Sequence, residues 1–240
     1  MKKKNKELLK KIEIINSSDD IFKKFNLIYN KSAVKILTFL NHYAVNLANE
    51  DNQFYNIIID SELVYRDGIG IKIACRLNKI QPGLNMNGTD FIPLLLERYK
   101  DKKIAIFGSK SETIKRFYEL YSLKYNIVSY IDGYNHDDLY IKKLNQVKPD
   151  ILLLAMGMPK QEYLSKKIKD FYKEKLIIIN GGAILDFMTG KIKRAPKVFS
   201  KIGLEWLYRL YLEPSRLFRR YVIGIPLFLY RIFRELILGE

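Results

Sequence analysis

Along most of this 240-residue chain, short apolar runs alternate with segments in which apolar residues recur every three or four positions. The runs Val34–Leu40, Asn56–Ile59, Lys103–Phe107, Asn126–Ile131, Asp150–Ala155 and Leu176–Ile179 have the length of strands, and several are apolar on both faces. Strands of that kind belong in a parallel sheet covered on both sides. Between them, Ser111–Leu123, Asp138–Gln146 and Pro159–Tyr172 carry helical spacing, the last with Leu164, Ile168, Phe171 and Tyr172 on one stripe. From Lys102 onward the order is βαβαβαβ, which predicts an α/β fold: a Rossmann-like, mostly parallel sheet with helices on both faces. Near residue 195 the pattern changes: arginine and aromatic residues concentrate and strand runs cease. We expect an α/β domain over residues 1–195 and a helical, membrane-associating appendage over residues 196–240. No internal repeat or low-complexity linker interrupts the chain.

Parallel sheets bind ligands where their strands end, because the loops and helix N-termini there offer backbone donors and partial positive charge. Four predicted strand ends are glycine-rich or polar. In "AMGMPKQE" (Ala155–Glu162), Gly157 permits a tight turn, and Pro159 and Glu162 suit a helix start, which does not require Gln161. "IFGSKSE" places Gly108 and Ser109 before a helix without either glycine-rich phosphate-loop signature. "YIDGYNHDD" supplies Asp132, Gly133 and Tyr134, and "IINGGAILDF" supplies Asn180, Gly181, Gly182 and Asp186. Each alone reads more readily as an ordinary turn. Four on one edge favour a nucleotide cleft.

Charge narrows the partners. A net charge of +16 calls for nucleic acid, an anionic membrane surface or a phosphorylated substrate. The aromatic residues lie in apolar helical stripes rather than interleaved with lysine, which argues against nucleic acid. "MKKKNKELLKK" is read as a solvated or membrane-facing arm; no apolar h-region follows it, so it is not a secretory signal. The run "YVIGIPLFLY", ten residues, is too short for a bilayer span, which needs about 20. The single Cys75 sits among helically spaced apolar residues as a buried thiol, in keeping with a reducing, cytosolic compartment.

In "VYRDGIGIKIA", Asp67 reads either as a helix N-cap or as a general base at a cleft edge. There is no Asp-x-Asp, and His42 and His136 are far apart in sequence, so no metal is expected, although Asp132, His136, Asp137 and Asp138 have ligand chemistry.

"DGIG" (67–70), "NGTD" (87–90), "DGY" (132–134), "PDILLLAMGMPKQE" (149–162), "LDFMTGKIKRAP" (185–196) and "GLEWLYRLYLEPSRLFRRY" (203–221) together resemble the motif series of the WecG/TagA/CpsF glycosyltransferases. The resemblance implies an inverting, metal-independent enzyme without a cofactor. It would move a sugar, N-acetylmannosamine or a related hexose, from a UDP-sugar to a polyprenyl-diphosphate-linked saccharide. It would work on the inner face of the bacterial plasma membrane, in teichoic acid, enterobacterial common antigen or capsule synthesis. Asp67 is similar to the family's general base, Gln161 to an active-site amide, and Asn41 to the Asn of a T-x-N motif. Asp132, Gly133, Tyr134, Gly157, Pro159, Glu162, Gly182 and Asp186 fall in motifs lining the nucleotide pocket. Arg209, Arg216 and Arg219 match arginines that complete the site around the acceptor diphosphate. Two positions depart: Phe39 stands in place of the motif Thr, and Asn85 in place of a common Arg. Both bear on the sugar rather than on the reaction.

Arg209, Arg216, Arg219 and Arg220 lie at helical offsets 0, 7, 10 and 11, one broad face if the helix continues through Pro214. Leu217, Tyr221, Ile225, Phe228, Ile232 and Leu236 form an apolar stripe flanked by Arg231 and Arg234. Such a stripe suits an anionic membrane surface or a second copy of the chain. The competing reading is a basic nucleic-acid- or membrane-binding module without catalysis.

Overall fold

The computed structural model describes residues 3–196, 199 and 203–238. Five of the apolar runs are strands where the pattern puts them: Val34–Leu40 (β1), Ile104–Gly108 (β3), Ile127–Ile131 (β4), Ile151–Ala155 (β5) and Leu176–Asn180 (β6). The remaining strand is Leu63–Arg66 (β2), and Asn56–Ile59 instead lies inside a helix, Asn52–Asp60 (α4). There Phe54, Tyr55, Ile57 and Ile58 are buried at helical spacing, and the Asp51 side chain caps the helix by accepting from the Gln53 and Phe54 N–H groups. A four-residue apolar run alone does not separate helix from strand; the upstream cap decides it.

All neighbouring strands pair in parallel, in the order β2-β1-β6-β5-β3-β4. Side chains alternate between two layers, Ile104, Ile106, Ile151 and Leu153 on one face and Ala105, Phe107, Leu152 and Leu154 on the other. The first face is covered by Ser18–Tyr29 (α2), Gly88–Arg98 (α6), Ser111–Tyr121 (α7) and Ile184–Met188 (α10). The second is covered by Asp137–Val147 (α8) and Lys160–Phe171 (α9). β3 leads through α7 to β4, whereas β5 leads through α9 to β6 on the opposite side, so a crevice opens between their carboxyl ends. Gly108 makes the contact between them possible: at φ +136°, a Cβ there would stand 2.4 Å from the Ala155 carbonyl carbon.

A third cluster gathers beside β1 and β2. It joins Lys4–Lys10 (α1), His42–Glu50 (α3), α4 and Ile69–Leu77 (α5) to the last helix, Gly224–Leu238. The N-terminal lysine-rich segment is therefore not a free arm from residue 4 onward. Leu8 and Leu9 are fully buried, and the backbone N–H groups of Asn5 and Lys6 donate to the Glu235 carboxylate at 3.0 and 2.9 Å. Met1 and Lys2 lie outside the described residues. Cys75 is buried in the same cluster, and burial pushes its thiol up to about 11.

After residue 203 the chain is helical: Glu205–Leu212 (α11), Pro214–Phe218 (α12), a π turn at Arg219–Ile223, and Gly224–Leu238 (α13). Pro214 opens a new helix instead of continuing the old one, so the arginines do not share one regular face. The apolar stripe is also reassigned. Four of its six residues, Leu217, Tyr221, Phe228 and Ile232, are buried within the molecule, out of reach of a membrane or a second copy, whereas Ile225 is half-buried and Leu236 is exposed. The exposed apolar residues are those pointing away, among them Phe218, Val222, Tyr230, Phe233 and Ile237. Among the described residues no helix is long and apolar enough to cross a membrane.

Candidate active site

A cavity of about 320 Å³ lies over the carboxyl ends of β1, β2, β5 and β6 and is roofed by the C-terminal helices. Its floor is built by the ends of β1 and β2. The Asp67 N–H extends the ladder by donating to the Leu40 carbonyl at 2.9 Å, which fixes the turn that follows β2. Asn41 uses both ends of its amide: Oδ1 caps α3 by accepting from the Ala44 N–H at 3.0 Å, and Nδ2 donates to Asp67 Oδ2 at 3.3 Å. A single residue thereby sets the helix start and the carboxylate direction. Buried Arg66 donates to the carbonyls of Pro82, Gly83 and Gly68, and Asn85 Oδ1 accepts from the Gly68 N–H at 2.8 Å. The loop carrying Asp67 is thus held from below.

One wall comes from α9. Gln161, only 1% exposed, accepts from the Gly182 N–H through Oε1 and donates through Nε2 to Glu162 Oε1, both at 2.9 Å. Glu162 lies behind it, fully buried, and burial raises its carboxyl to about 7. Among the described residues, its Oε2 has no hydrogen-bond partner.

The roof supplies positive charge. Arg209, Arg216 and Arg220 line the cavity. The Arg209 guanidinium stacks over Phe187 at 5.2 Å and that of Arg220 over Tyr43 at 4.8 Å. Arg216 is forked onto Glu213. Among the described residues, the buried Nε atoms of Arg209 and Arg220 have no hydrogen-bond partner, and guanidinium groups that line a cavity are suited to an anion. Glu205 and Trp206 close the same roof, and burial, then the charge of Asp67, raises the Glu205 carboxyl. His42 also reaches the cavity; burial and the neighbouring Arg220 lower its imidazole to about 4, so it is neutral at pH 7.

The chain matches, over residues 10–240, the family described as "Glycosyl transferase WecG/TagA/CpsF family". It belongs to that family. It is also 29% identical over 206 residues to the N-acetylglucosaminyldiphosphoundecaprenol N-acetyl-beta-D-mannosaminyltransferase of Bacillus subtilis (strain 168), covering 83% of this chain and 79% of the relative. The protein is accordingly a glycosyltransferase.

In this glycosyltransferase the cavity brings together Asn41, Asp67, Gly157, Gln161, Gly182, Arg209 and Arg216 from the sequence-derived set. A second group lies at the ends of β3 and β4, outside the cavity wall. There the Gly133 N–H donates to the Ser109 carbonyl at 2.9 Å beside Gly108, Asp132 accepts from the Tyr134 N–H at 3.0 Å, and Lys160 donates to the Gly133 carbonyl at 2.7 Å. Pro159 precedes α9, and Asp186 pairs with Lys191 at 3.1 Å; neither lines the cavity. Arg219 is exposed and also stands outside it. Asp137 and Asp138 both face Lys167, and no group of three or more His, Cys, Asp or Glu side chains suited to a metal occurs among the described residues. Sequence reasoning passed over Glu205, Trp206 and His42 and left Arg220 out of the site. The lone tryptophan beside a glutamate in "GLEWL" was the available signal.

Proposed function

We propose that this glycosyltransferase moves a hexose, N-acetylmannosamine or a close relative, from a UDP-sugar to a polyprenyl-diphosphate-linked saccharide with inversion, without a metal ion. The observation that carries the reading is the position of Asp67. A carboxylate held by Asn41 lines the same cavity as Arg209, Arg216 and Arg220. In the reaction, the acceptor hydroxyl oxygen attacks the anomeric carbon, its proton passes to Asp67, and the bond to the UDP oxygen breaks on the far side. Arginine forks suit diphosphate oxygens, whose charge grows as UDP departs. Gln161 and Gly182 contribute a rigid wall on the donor side, and the strand-end group around Gly108, Asp132, Gly133 and Tyr134 extends toward the nucleotide. The B. subtilis relative is named for a diphosphoundecaprenol acceptor, which supports the same acceptor class here. We place the protein peripherally on the inner face of the plasma membrane. The exposed apolar residues of α12 and α13 would enter the headgroup boundary, beside an overall charge of +16.

The test is transfer read by mass spectrometry, with a panel of UDP-sugars and a short-chain prenyl-diphosphate-GlcNAc acceptor, for the wild type and Asp67→Asn. The expected result is a gain of one sugar with the wild type and a loss of about 10²–10⁴-fold in rate with the variant, while UDP still raises the melting temperature of both. Near-normal turnover by Asp67→Asn would remove the assignment of the base.

A further inference from the structure

The roof arginine that reaches deepest is set by a device in α3 that no part of the reaction scheme uses. Across the π turn the regular i→i−4 ladder is widened, and two carbonyls at it, those of Arg220 and Gly224, take bonds from outside the helix. Two side chains one helical turn apart on α3 supply them. The His42 Nε2–H donates to the Arg220 carbonyl at 3.1 Å, and Asn46 Nδ2 donates to the Gly224 carbonyl at 2.7 Å. A carbonyl only accepts, so the His42 proton is on Nε2. The spacing matches on both sides: 42 and 46 on α3, 220 and 224 on the roof. Arg231 secures Asn46 from the other side, donating to its carbonyl and to its Oδ1 at 2.9 and 3.1 Å. Between the two latch residues, Tyr43 forms the platform under the Arg220 guanidinium.

One residue of helical winding corresponds to roughly 100° of rotation. That is the scale of the difference between Arg219, which faces solvent, and Arg220, which faces the cavity. We propose that His42 and Asn46 are positioning residues: by holding the carbonyls at the two ends of the π turn they fix its winding and aim Arg220 at a diphosphate in the cavity. The proposal rests on the diphosphate-binding part of the reading above, but not on sugar transfer. It also ties the two sides of the site together, since Asn41, immediately before His42, holds Asp67.

The experiment is calorimetric titration of the full chain at low salt with inorganic pyrophosphate, UDP and geranyl diphosphate, alongside melting temperatures. The proteins are wild type, Arg220→Ala, His42→Phe, His42→Gln and the double variant His42→Phe/Arg220→Ala. Arg220→Ala is expected to weaken pyrophosphate on the order of tenfold, as loss of a charged hydrogen bond does. His42→Phe should weaken it similarly, and His42→Gln, which keeps an N–H donor, should restore most of the loss. The double variant should bind no worse than Arg220→Ala alone, a non-additivity that a merely structural role would not produce. Should His42→Phe fail to fold, Asn46→Asp removes the donor to Gly224 but keeps the acceptor for Arg231, and the same coupling with Arg220→Ala is expected. Whichever of UDP and geranyl diphosphate loses affinity in Arg220→Ala identifies the diphosphate that Arg220 holds. The proposal is overturned if wild type does not bind pyrophosphate, if Arg220→Ala binds all three ligands normally, or if the His42 and Arg220 effects add. A failed transfer assay with this coupling intact would remove the proposed donor and acceptor and leave the latch; transfer without coupling would do the reverse.

Discussion

Glu162 carries a pH signature of its own. Its folded-state carboxyl sits near 7, above an ordinary value of 4.5, so between those values the folded protein binds the extra proton. Stability from this group is therefore fully present below about 4.5 and is lost as pH rises through 7. Glu162→Gln, which stays neutral, is expected to flatten that slope and to raise stability at pH 8 by on the order of 2–3 kcal/mol, measured by urea denaturation across pH. An unchanged slope would mean that Glu162 is ionised in the folded protein. Asn41→Ala should cost about 1 kcal/mol as a lost helix cap. It should also lower transfer with UDP affinity unchanged, because Asp67 loses its partner. Asp67 was legible as a carboxylate ahead of Gly68 and a helical pattern, and Gln161 as a residue that a helix start does not require, whereas Asn41 was reached only through the family resemblance. The partnership of Gln161 with Glu162 was not, because it depends on a depth of burial that adjacent letters do not display. Arg220 was displaced from view by a neighbour of the same type, and only the winding of the π turn separates the two.

At the scale of elements, the C-terminal helix has two unlike faces. Phe228→Ala empties a fully buried position and is expected to destabilise by about 3–5 kcal/mol. Phe233→Ala, at 46% exposure, should change stability by no more than about 0.5 kcal/mol yet weaken sedimentation with anionic vesicles. If Phe233→Ala left vesicle binding intact, the exposed face would not be the membrane contact. The amphipathic period of this helix could be read from sequence, but not which apolar stripe turns inward, because both flanks are apolar and the choice is made by α3 and α1. The strand at 63–66 was missed for a related reason. "ELVYR" is short and carries two charged ends, while the helix before it presents the more apolar run.

For the whole molecule, the parallel sheet and its ligand-bearing edge were legible because central strands are apolar on both faces and end abruptly in glycine and polar residues. What the pattern did not reveal is that the lysine-rich helix α1 belongs to the core. Its only deep apolar residues are Leu8, Leu9 and neighbouring Ile12, too few to stand out from the surrounding lysines.

The bonds from the Asn5 and Lys6 N–H groups to Glu235 span 230 and 229 residues. Synthesis delivers α1 before any strand and α13 after all of them. The clasp between them therefore cannot close until every strand has been synthesised, and loop closure of that length belongs to the slow end of folding. The roof arginines arrive with the same segment, so a nascent chain that ends before residue 209 carries Asn41 and Asp67 but not Arg209, Arg216 or Arg220. On the proposed function, competence to hold a diphosphate would come only with the last part of the chain to be made.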